Sequence, residues 1–404
     1  MVKKIGGWKN VPNEGVMDDL LGFYNHYLEK AIKGTNVQAT SVPSGSGVSN
    51  SLIIIDMQND FTLPNGAFSV ADGMLLMKPL VAFMDANMDK FSKIVFSRDI
   101  HDVNHCSFMS RNGPFPPHCV INSMGAALMP NFKKYEGMDK VEVIFKGMHP
   151  NVDSFGAYQY PNDAYSAGRQ IGPECCTDKT ADGLGSCSDM TGGKYLIDKS
   201  KAFADIPFTP AAANTYDAIK DQLGAAFSVG DLIPEGSTEH NVFVVGLAGD
   251  FCCKDTAMNI AKTVAMDPSV AKGAKVNVYI IEPFVRYAFL PIAFAPPFVD
   301  KAMFKSVQEG KDFSYYMFEV LPGDKKRILK TEELTADLNV DDMKYSHFLT
   351  DPKTIVADYA SAGVKILMDA PVLGMSGGRR SRRKTQRNRR NRKATRKARK
   401  IYRK

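Results

Sequence analysis

The sequence predicts an α/β fold, with a parallel, Rossmann-like sheet flanked by helices on both faces. Short apolar runs rich in Val and Ile recur along the 404 residues. They are nearly continuous rather than alternating, which is typical of strands buried on both faces. Helix-like segments separate several of them, and this alternation indicates a parallel sheet with crossover helices. A hydrophobic content of 44% is enough to bury one large core or two smaller ones.

The individual elements follow from local patterns. The predicted strands span 52–55, 94–96, 141–145, 242–245, 276–281 and 364–367. The predicted helices, recognised mainly by apolar residues at helical spacing, span 16–33, 74–91, 215–227, 252–266 and 352–362. The last helix has the clearest ends, with Asp351 as N-cap, Pro352 in the first helical position and Gly363 after its C-terminus.

Composition divides the chain into segments. Residues 1–50 combine the N-terminal helix with a linker at 41–50 that is rich in Ser and Gly, and the α/β domain is expected to span 51–373. Two long insertions interrupt that domain. The first, 160–207, contains no convincing helix or strand, and the second, 295–347, can form a small added lobe. Loops of this length usually serve as functional lids or are disordered.

Positive charge is concentrated at the end of the chain. Residues 379–404 contain 16 of the 51 Lys and Arg and no Asp or Glu, which leaves 35 basic against 44 acidic residues elsewhere. We therefore expect 374–404 to be a disordered Arg- and Lys-rich tail. Nucleic acid or another polyanion is its expected partner, with nuclear targeting and simple solubilisation as open alternatives. In composition alone, the tail resembles those of proteins from large DNA viruses.

Neither export nor membrane insertion is indicated. The N-terminus lacks an apolar stretch behind its positive charges, and the longest apolar run, 288–299, is short and contains three prolines. We expect an intracellular protein (cytoplasmic, nuclear or virion-associated) without a membrane partner; a homo-oligomer is an open alternative. The seven cysteines are accordingly expected to be free thiols. Those in the first insertion, Cys175, Cys176 and Cys187, are expected to be surface thiols.

Three strand ends each carry a group that can do chemistry. Asp56 ends the first predicted strand, Lys146 ends the third, and Cys252 follows the fourth at the start of a helix. Ligands of open parallel sheets bind beyond the carboxyl ends of the strands. A helix N-terminus and a lysine are both expected to lower the pKa of Cys252. A carboxylate can take the thiol proton and return it to a leaving amine. Taken singly, each residue more commonly has a structural role.

The segments around these three residues resemble one family. Ile-Asp56-Met-Gln-Asn-Asp-Phe61 is similar to the opening motif of the isochorismatase-like hydrolases, and of nicotinamidases in particular. Lys146-Gly-Met-His-Pro-Asn-Val-Asp-Ser-Phe resembles the lysine motif of that family, and Gly246-Leu-Ala-Gly-Asp-Phe-Cys252 resembles its nucleophile motif. The resemblance covers roughly 51–158, 208–290 and the closing strand near 362–366.

The resemblance implies a Cys-Asp-Lys triad. Cys252 would be the nucleophile, Asp56 the general acid and base, and Lys146 the electrostatic partner. Cys253 is the rival nucleophile, but the family motif places the nucleophile directly after the aromatic residue. The resemblance also implies a cis peptide bond before Ala248 and an oxyanion hole made by the backbone amides of Ala248 and Cys252.

A second cluster has the ligand types of a metal site. Asp99, His101 and His118 offer one carboxylate and two imidazoles, which suit Zn, Fe or Mn and leave coordination positions open. In nicotinamidases the matching residues bind a divalent metal that holds the pyridine nitrogen. The resemblance therefore implies one divalent ion, with zinc favoured over iron or manganese. His105 is expected to lie outside the ligand set, and His149 to have a local structural role.

Aromatic residues near these motifs are candidates for a substrate pocket. Phe61, Phe115 and Phe251 can form its walls, although a plain core role is equally open. Ile100 and Phe115 both stand where family members commonly carry Trp, and the smaller Ile100 leaves the substrate less defined.

The expected activity is metal-assisted hydrolysis of nicotinamide, or a close aromatic carboxamide, to the acid and ammonia through a thioester, a reaction of NAD salvage. Two alternatives stay open. One is a hydrolase of the same fold acting on an N-carbamoyl or ureido substrate. The other is an inactive relative that binds polyanions through its tail.

Overall fold

The computed structural model describes part of the chain. The described residues are 28–29, 31–111, 115–152, 154–158, 195–196, 199–208, 214–288, 318–321, 325–328 and 352–373. Their strands are β1 Gln38–Ala39, β2 Val48–Ile55, β3 Lys93–Asp99, β4 Val141–Lys146, β5 Tyr195–Leu196, β6 Glu239–Leu247, β7 Lys275–Arg286, β8 Phe318–Leu321, β9 Lys325–Ile328 and β10 Lys365–Leu367.

The predicted parallel sheet is confirmed. Eight strands pair in the order β1-β10-β7-β6-β2-β3-β4-β5, and every neighbouring pair is parallel except β4 with β5. All six predicted strands are present in it, most of them extended at their ends. A separate antiparallel pair, β8 with β9, lies in the predicted second insertion.

Helices connect the strands. They are α1 Asn59–Thr62, α2 Met77–Asn87, α3 Lys199–Ala202, α4 Tyr216–Ile219, α5 Cys252–Met266 and α6 Pro352–Ala362. The predicted helices 252–266 and 352–362 have the bounds of α5 and α6. The predicted helix 74–91 is divided into α2 and a short 3-10 turn on each side. The predicted helix 215–227 was too long, because α4 is followed by a 3-10 turn that ends at Gln222.

Apolar residues fill both faces of the sheet, as the continuous strand patterns predicted. On β2, Ile53 and Ile55 belong to one buried cluster, whereas Leu52 and Ile54 belong to the other. Because side chains alternate along a strand, the two clusters are the two faces. Helices α5 and α6 cover the first face and α2 covers the second. The sheet is therefore flanked by helices on both sides.

Several predictions need correction. The first insertion does contain regular structure, since β5 and α3 lie within 160–207. Neither has an apolar run long enough to reveal it. Strand β2 begins at Val48, three residues before the expected start of the domain. Strand β1 was not predicted, and it adds an edge to the sheet beside β10.

One cysteine also departs from prediction. Cys106 is disulfide-bonded, so the expectation of seven free thiols was wrong. Cys119, Cys252 and Cys253 are free and buried. The partner of Cys106, the three cysteines of the first insertion, most of the predicted helix 16–33 and the tail 374–404 lie outside the described residues. The division of the chain into domains stays a prediction.

The strand order places a site. From the central β2 the chain moves to β3 and β4 on one side and later to β6 and β7 on the other. The carboxyl ends of β2 and β6 therefore border the crevice at which open α/β sheets bind ligands.

Among the described helices, none has the length and apolar character needed to cross a membrane.

Candidate active site

The three predicted triad residues meet at this crevice. Asp56 follows β2, Lys146 ends β4 and Cys252 opens α5. The ammonium Nζ of Lys146 lies 2.9 Å from Oδ2 of Asp56 and 3.6 Å from the Sγ of Cys252. Asp56 and Lys146 are fully buried, and Cys252 is 7% exposed. Charges so well shielded from water interact strongly, so the ammonium holds the carboxylate and the thiol together.

Ser97 on β3 completes the environment of Asp56. Its hydroxyl donates to Oδ1 of Asp56 at 2.6 Å and accepts the Asp56 backbone N–H at 3.1 Å. This leaves Oδ2 for Lys146. Sequence reasoning missed Ser97 because a serine within a strand carries no signal until its neighbouring strand is known.

The ionisation of the triad differs from the prediction in one respect. Burial, together with the carboxylates of Asp56 and Asp99, raises the pKa of Cys252 well above its usual value, and Lys146 only partly opposes this. The expectation of a lowered thiol pKa was wrong, because sequence does not reveal the depth of burial. Burial likewise raises the pKa of Asp56. Burial alone would lower the pKa of Lys146, but the charges of Asp56 and Asp99 raise it well above its usual value. The lysine is therefore held as the cation.

The three predicted metal-ligating residues also come together. One donor atom from each of Asp99, His101 and His118 can be chosen such that all three lie within 4.8 Å of one another, and all three side chains are buried. Asp99 lies between the clusters, since Oδ1 is 3.1 Å from Lys146 Nζ and Oδ2 is 3.1 Å from His101 Nε2. The charges of His101 and Lys146 overcome burial and lower the pKa of Asp99.

Each imidazole is fixed through its Nδ1. His101 Nδ1 lies 2.7 Å from the carbonyl of Gly147, and His118 Nδ1 lies 2.7 Å from that of Pro116. A carbonyl only accepts, so Nδ1 of each ring carries a proton and Nε2 is the nitrogen that can turn to a metal, as is usual for metal-binding histidines. Burial lowers the pKa of His118 to about 3, so its ring is neutral. The residues thus fit a divalent metal.

Gly147 is required by this packing. Its φ is +69°, and a Cβ atom there would lie 2.5 Å from Oδ1 of Asp99 and 2.8 Å from the His101 ring. Only glycine lets the backbone of the lysine motif approach Asp99 and His101 so closely.

Hydrogen bonds of Gln58 and Asp60 explain two further residues of the opening motif. The side-chain amide of Gln58 donates to the carbonyl of Asp99 at 2.7 Å and accepts the Asp99 N–H at 2.7 Å. The carboxylate of Asp60 accepts the Cys119 N–H at 2.7 Å. Gln58 therefore fixes the end of β3, and Asp60 fixes the residue after His118. Sequence reasoning quoted both residues within the motif but assigned neither a role.

The nucleophile loop, residues 247–252, joins β6 to α5. The peptide bond between Leu247 and Ala248 is cis, as expected. The carbonyl of Ala248 accepts the N–H groups of Phe251 and Cys253, at 3.1 and 3.0 Å. Within the described part of the chain, no protein acceptor takes the N–H of Ala248 or that of Cys252. These are the two amides that the resemblance assigns to an oxyanion hole, and that role stays a prediction.

A largely apolar pocket opens above Cys252. Phe61, Phe115 and Phe251 line it as predicted, as do Asp99, His101 and His118. Ala248, predicted for the oxyanion hole, also lines it. Further lining residues were not predicted: Phe68, Ser69, Val70, Ser107, Phe155, Leu247 and Ala288. Ile100 is fully buried in the core and does not line the pocket. The aromatic rings surround His118, with Phe68 at 4.8 Å and Phe61 at 5.3 Å between ring centroids.

The remaining candidates have other positions. His105 is fully buried and packs on His101, but its ring nitrogens contact Ser107 Oγ at 2.8 Å and the carbonyl of Val152 at 3.1 Å. It therefore supports the cluster from outside. His149 accepts the Asn151 N–H at 3.1 Å, which is a local contact. Cys253 is fully buried and does not line the pocket.

Comparison with known proteins agrees with the motifs. Residues 50–155 match the family model described as Isochorismatase domain. The nicotinamidase of Escherichia coli K12 is 32% identical over 123 residues, which are 26% of this chain and 55% of that protein. The nicotinamidase of Saccharomyces cerevisiae is 27% identical over 132 residues, 26% of this chain and 61% of that protein. The chain thus spans little more than half the length of these curated relatives.

Solved structures show weaker likeness. Yeast nicotinamidase bound to the inhibitor nicotinaldehyde is 14% identical, with 79% of this chain and 99% of that one covered and a TM-score of 0.39. The pyrazinamidase of Pyrococcus horikoshii in complex with zinc is 17% identical with the same coverage and a TM-score of 0.35. TM-scores of this size support no conclusion about the site. Residues 50–155 of this chain are therefore similar to the Isochorismatase domain family, and the chain is similar to nicotinamidases.

Proposed function

We propose that this chain hydrolyses nicotinamide, or a close aromatic carboxamide, to the carboxylic acid and ammonia. The observation that carries the proposal is the convergence of Lys146 and Asp56 behind Cys252, which lines a pocket with aromatic walls. A thiol held between a cation and a carboxylate suits nucleophilic acyl transfer, as do the two neighbouring amides that donate to no acceptor in the described part of the chain. The curated sequence relatives named above are nicotinamidases.

In the first half-reaction, the thiol proton of Cys252 passes to Asp56 while Sγ attacks the amide carbon. The tetrahedral oxyanion accepts hydrogen bonds from the N–H groups of Ala248 and Cys252. The carbon–nitrogen bond then breaks, ammonia leaves with the proton from Asp56, and a thioester remains on Cys252.

In the second half-reaction, Asp56 removes a proton from water, which attacks the thioester carbon through the same oxyanion. The carbon–sulfur bond breaks, the acid is released and the proton returns to Cys252. Burial raises the pKa of both Cys252 and Asp56, which favours one proton held between them over two separate anions. Lys146 remains positive throughout and stabilises whichever of them is anionic.

Asp99, His101 and His118 would hold one divalent metal ion, for which zinc is favoured over iron or manganese by the two imidazoles and one carboxylate. When bound, the metal would supply a Lewis-acid position for a ring nitrogen of the substrate. The rings of Phe61, Phe68 and Phe115 would exclude water from that position.

The decisive experiment is ammonia release from nicotinamide by the full chain, with and without a chelator, beside benzamide and an N-carbamoyl amine. We expect turnover of nicotinamide that falls after chelation and returns with metal, mainly through KM. Benzamide lacks the ring nitrogen, so it should bind weakly with or without metal. Hydrolysis of the N-carbamoyl compound alone would establish the ureido alternative, and no hydrolysis at all would favour the inactive relative.

A further inference from the structure

Helix α6 contacts the nucleophile loop at a place that the mechanism above does not use. Tyr359 is fully buried, and its hydroxyl donates to the carbonyl of Gly249 at 3.0 Å. The preceding residue, Asp358, forms an ion pair with Lys254 at 2.5 Å. Gly249 precedes Cys252 in the chain and Lys254 follows it, so α6 contacts the chain on both sides of the nucleophile.

Neighbouring groups contact Gly249 at its N–H, near its Cα and at its carbonyl. Its N–H donates to the carbonyl of Arg286 at 2.8 Å. A Cβ atom at this position would lie 2.6 Å from the Tyr287 ring and 2.6 Å from the Val285 side chain. Strand β7 therefore packs against Gly249 without a gap, and Tyr359 supplies the donor for its carbonyl. Without that hydroxyl, the described part of the chain offers the buried carbonyl no other donor.

Hydrogen bonds connect the rest of the loop around Gly249. The Ala248 carbonyl accepts the N–H groups of both Phe251 and Cys253, so the turn is closed on itself. The carboxylate of Asp250 accepts the Ala288 N–H at 2.8 Å. A rotation of the Gly249 peptide group would consequently displace the amide of Ala248 and the thiol of Cys252 together.

We propose that Tyr359 is a positioning residue for the nucleophile loop, and that its hydrogen bond to Gly249 holds Ala248 and Cys252 in the arrangement required by the tetrahedral intermediate. The inference rests on the proposed function. Tyr359 is not among the residues that line the pocket. Its effect therefore belongs to turnover rather than to binding of the substrate ground state.

The test is Tyr359→Phe in the full chain, with Tyr158→Phe as matched control. Tyr158 is equally buried, and its hydroxyl has no hydrogen-bond partner in the described part of the chain. Turnover is divided by the fraction of folded protein, measured by circular dichroism, so that unfolded protein is not counted. Affinity is measured for nicotinate and for pyridine-3-carboxaldehyde, whose carbonyl carbon accepts the thiol to give a tetrahedral thiohemiacetal.

For Tyr359→Phe we expect kcat and the affinity for the aldehyde to fall about tenfold, which is the order that one hydrogen bond contributes. KM and the affinity for nicotinate should stay within about twofold. Tyr158→Phe should change none of these. Unchanged kcat and aldehyde affinity in Tyr359→Phe would overturn the inference, as would an equal loss of nicotinate affinity or an equal effect of Tyr158→Phe.

Failure of the proposed function gives a different pattern. A wild-type chain that binds the aldehyde on Cys252 but hydrolyses no amide would reject the activity, and the aldehyde affinities would still decide the role of Tyr359. A wild-type chain to which the aldehyde does not add at Cys252 would remove both proposals.

Discussion

Two adjacent cysteines occupy different surroundings. Cys252 lines the pocket with its sulfur 3.6 Å from the Lys146 ammonium, whereas Cys253 is fully buried and absent from the pocket lining. A helix turns by about 100° per residue, so neighbours on α5 face different ways. Cys252 is therefore the cysteine that a molecule in the pocket can reach, whereas Cys253 packs in the core.

We expect Cys252→Ala to abolish amide hydrolysis without lowering the free energy of unfolding by more than about 1 kcal/mol. Cys253→Ala, its matched control, should retain most activity and lose about 1 kcal/mol, because it creates a small cavity. Initial rates and urea unfolding of both variants provide the measurement. Activity in Cys252→Ala, or its loss only in Cys253→Ala, would contradict the assignment.

His240 lies far from the triad, at the start of β6. The ring is fully buried, and Nδ1 lies 2.6 Å from the hydroxyl of Ser49. Its Nε2 has no hydrogen-bond partner in the described part of the chain. Burial lowers the pKa of His240 from 6.5 to about 4. Between these pH values the unfolded chain binds a proton that the folded chain does not.

Stability associated with neutral His240 is thus complete above pH 6.5 and is lost as the pH falls towards 4. The loss amounts to about 3 kcal/mol, from about 1.4 kcal/mol per pH unit. His240→Gln, which does not titrate, should flatten the pH dependence of the unfolding free energy in this window. The half-exposed His149, changed to Gln, should alter it much less. Parallel pH curves for wild type and His240→Gln would refute the prediction.

Strand β3 carries a second functional side chain besides Asp99, the carboxylate of the predicted metal site. The guanidinium of Arg98 is fully buried against the Phe145 ring, and burial lowers its pKa to about 10. It donates to the carbonyl of Ala126 at 3.0 Å, and to those of Ala202 and Ala204 at 3.1 and 2.8 Å. One side chain therefore fastens the segment 199–208, which contains α3, to the sheet.

Arg98→Met should lower the free energy of unfolding by about 3 kcal/mol, because it removes the donor of the Ala202 and Ala204 carbonyls and leaves the Ala126 carbonyl with Gln58 alone. Arg98→Lys should recover little, since an ammonium cannot reproduce the divergent N–H groups of guanidinium. Lys134→Met, which removes a half-exposed cation paired with Asp85, is the control and should have no measurable effect. Chemical denaturation monitored by circular dichroism provides the comparison. If Arg98→Met lowered the free energy of unfolding no more than Lys134→Met does, Arg98 would not hold the segment 199–208 on the sheet.

Elements with strong local signals were predictable, and those defined by distant partners were not. Helix α6 has the predicted bounds because proline and glycine mark its ends, and α5 begins at Cys252 as its motif indicated. Strand β1 has only two residues and exists because β10 lies beside it. The site follows the same division. Asp56, Lys146 and Cys252 lie in recognisable motifs, whereas Ser97 and Tyr359 act through residues on other elements.

At the scale of the whole molecule, the tail 374–404 stays a prediction, since it lies outside the described residues. Its 16 basic residues within 379–404, without an acidic one, should bind polyanions without regard to base sequence. Affinity of the full chain for duplex DNA should fall steeply with salt, because binding releases counterions.

A chain ending at residue 378 should bind DNA weakly at any salt concentration, and a tail with every Lys and Arg changed to Gln is the length-matched control. Fluorescence anisotropy over a salt series gives the slope. Equal affinity of the intact and shortened chains would exclude the tail as the binding segment. Amide hydrolysis should be the same in all three proteins.

The edge of the sheet joins two distant parts of the chain. Strand β1 pairs with β10, and the Lys365 ammonium reaches the carbonyl of Asn36, 329 positions away in sequence. During synthesis on a ribosome, the first strand would therefore emerge long before its partner exists. Closing so long a loop is entropically slow. Since α6 leads directly into β10, the nascent chain should acquire activity only at this late closure, well after Cys252 has been made.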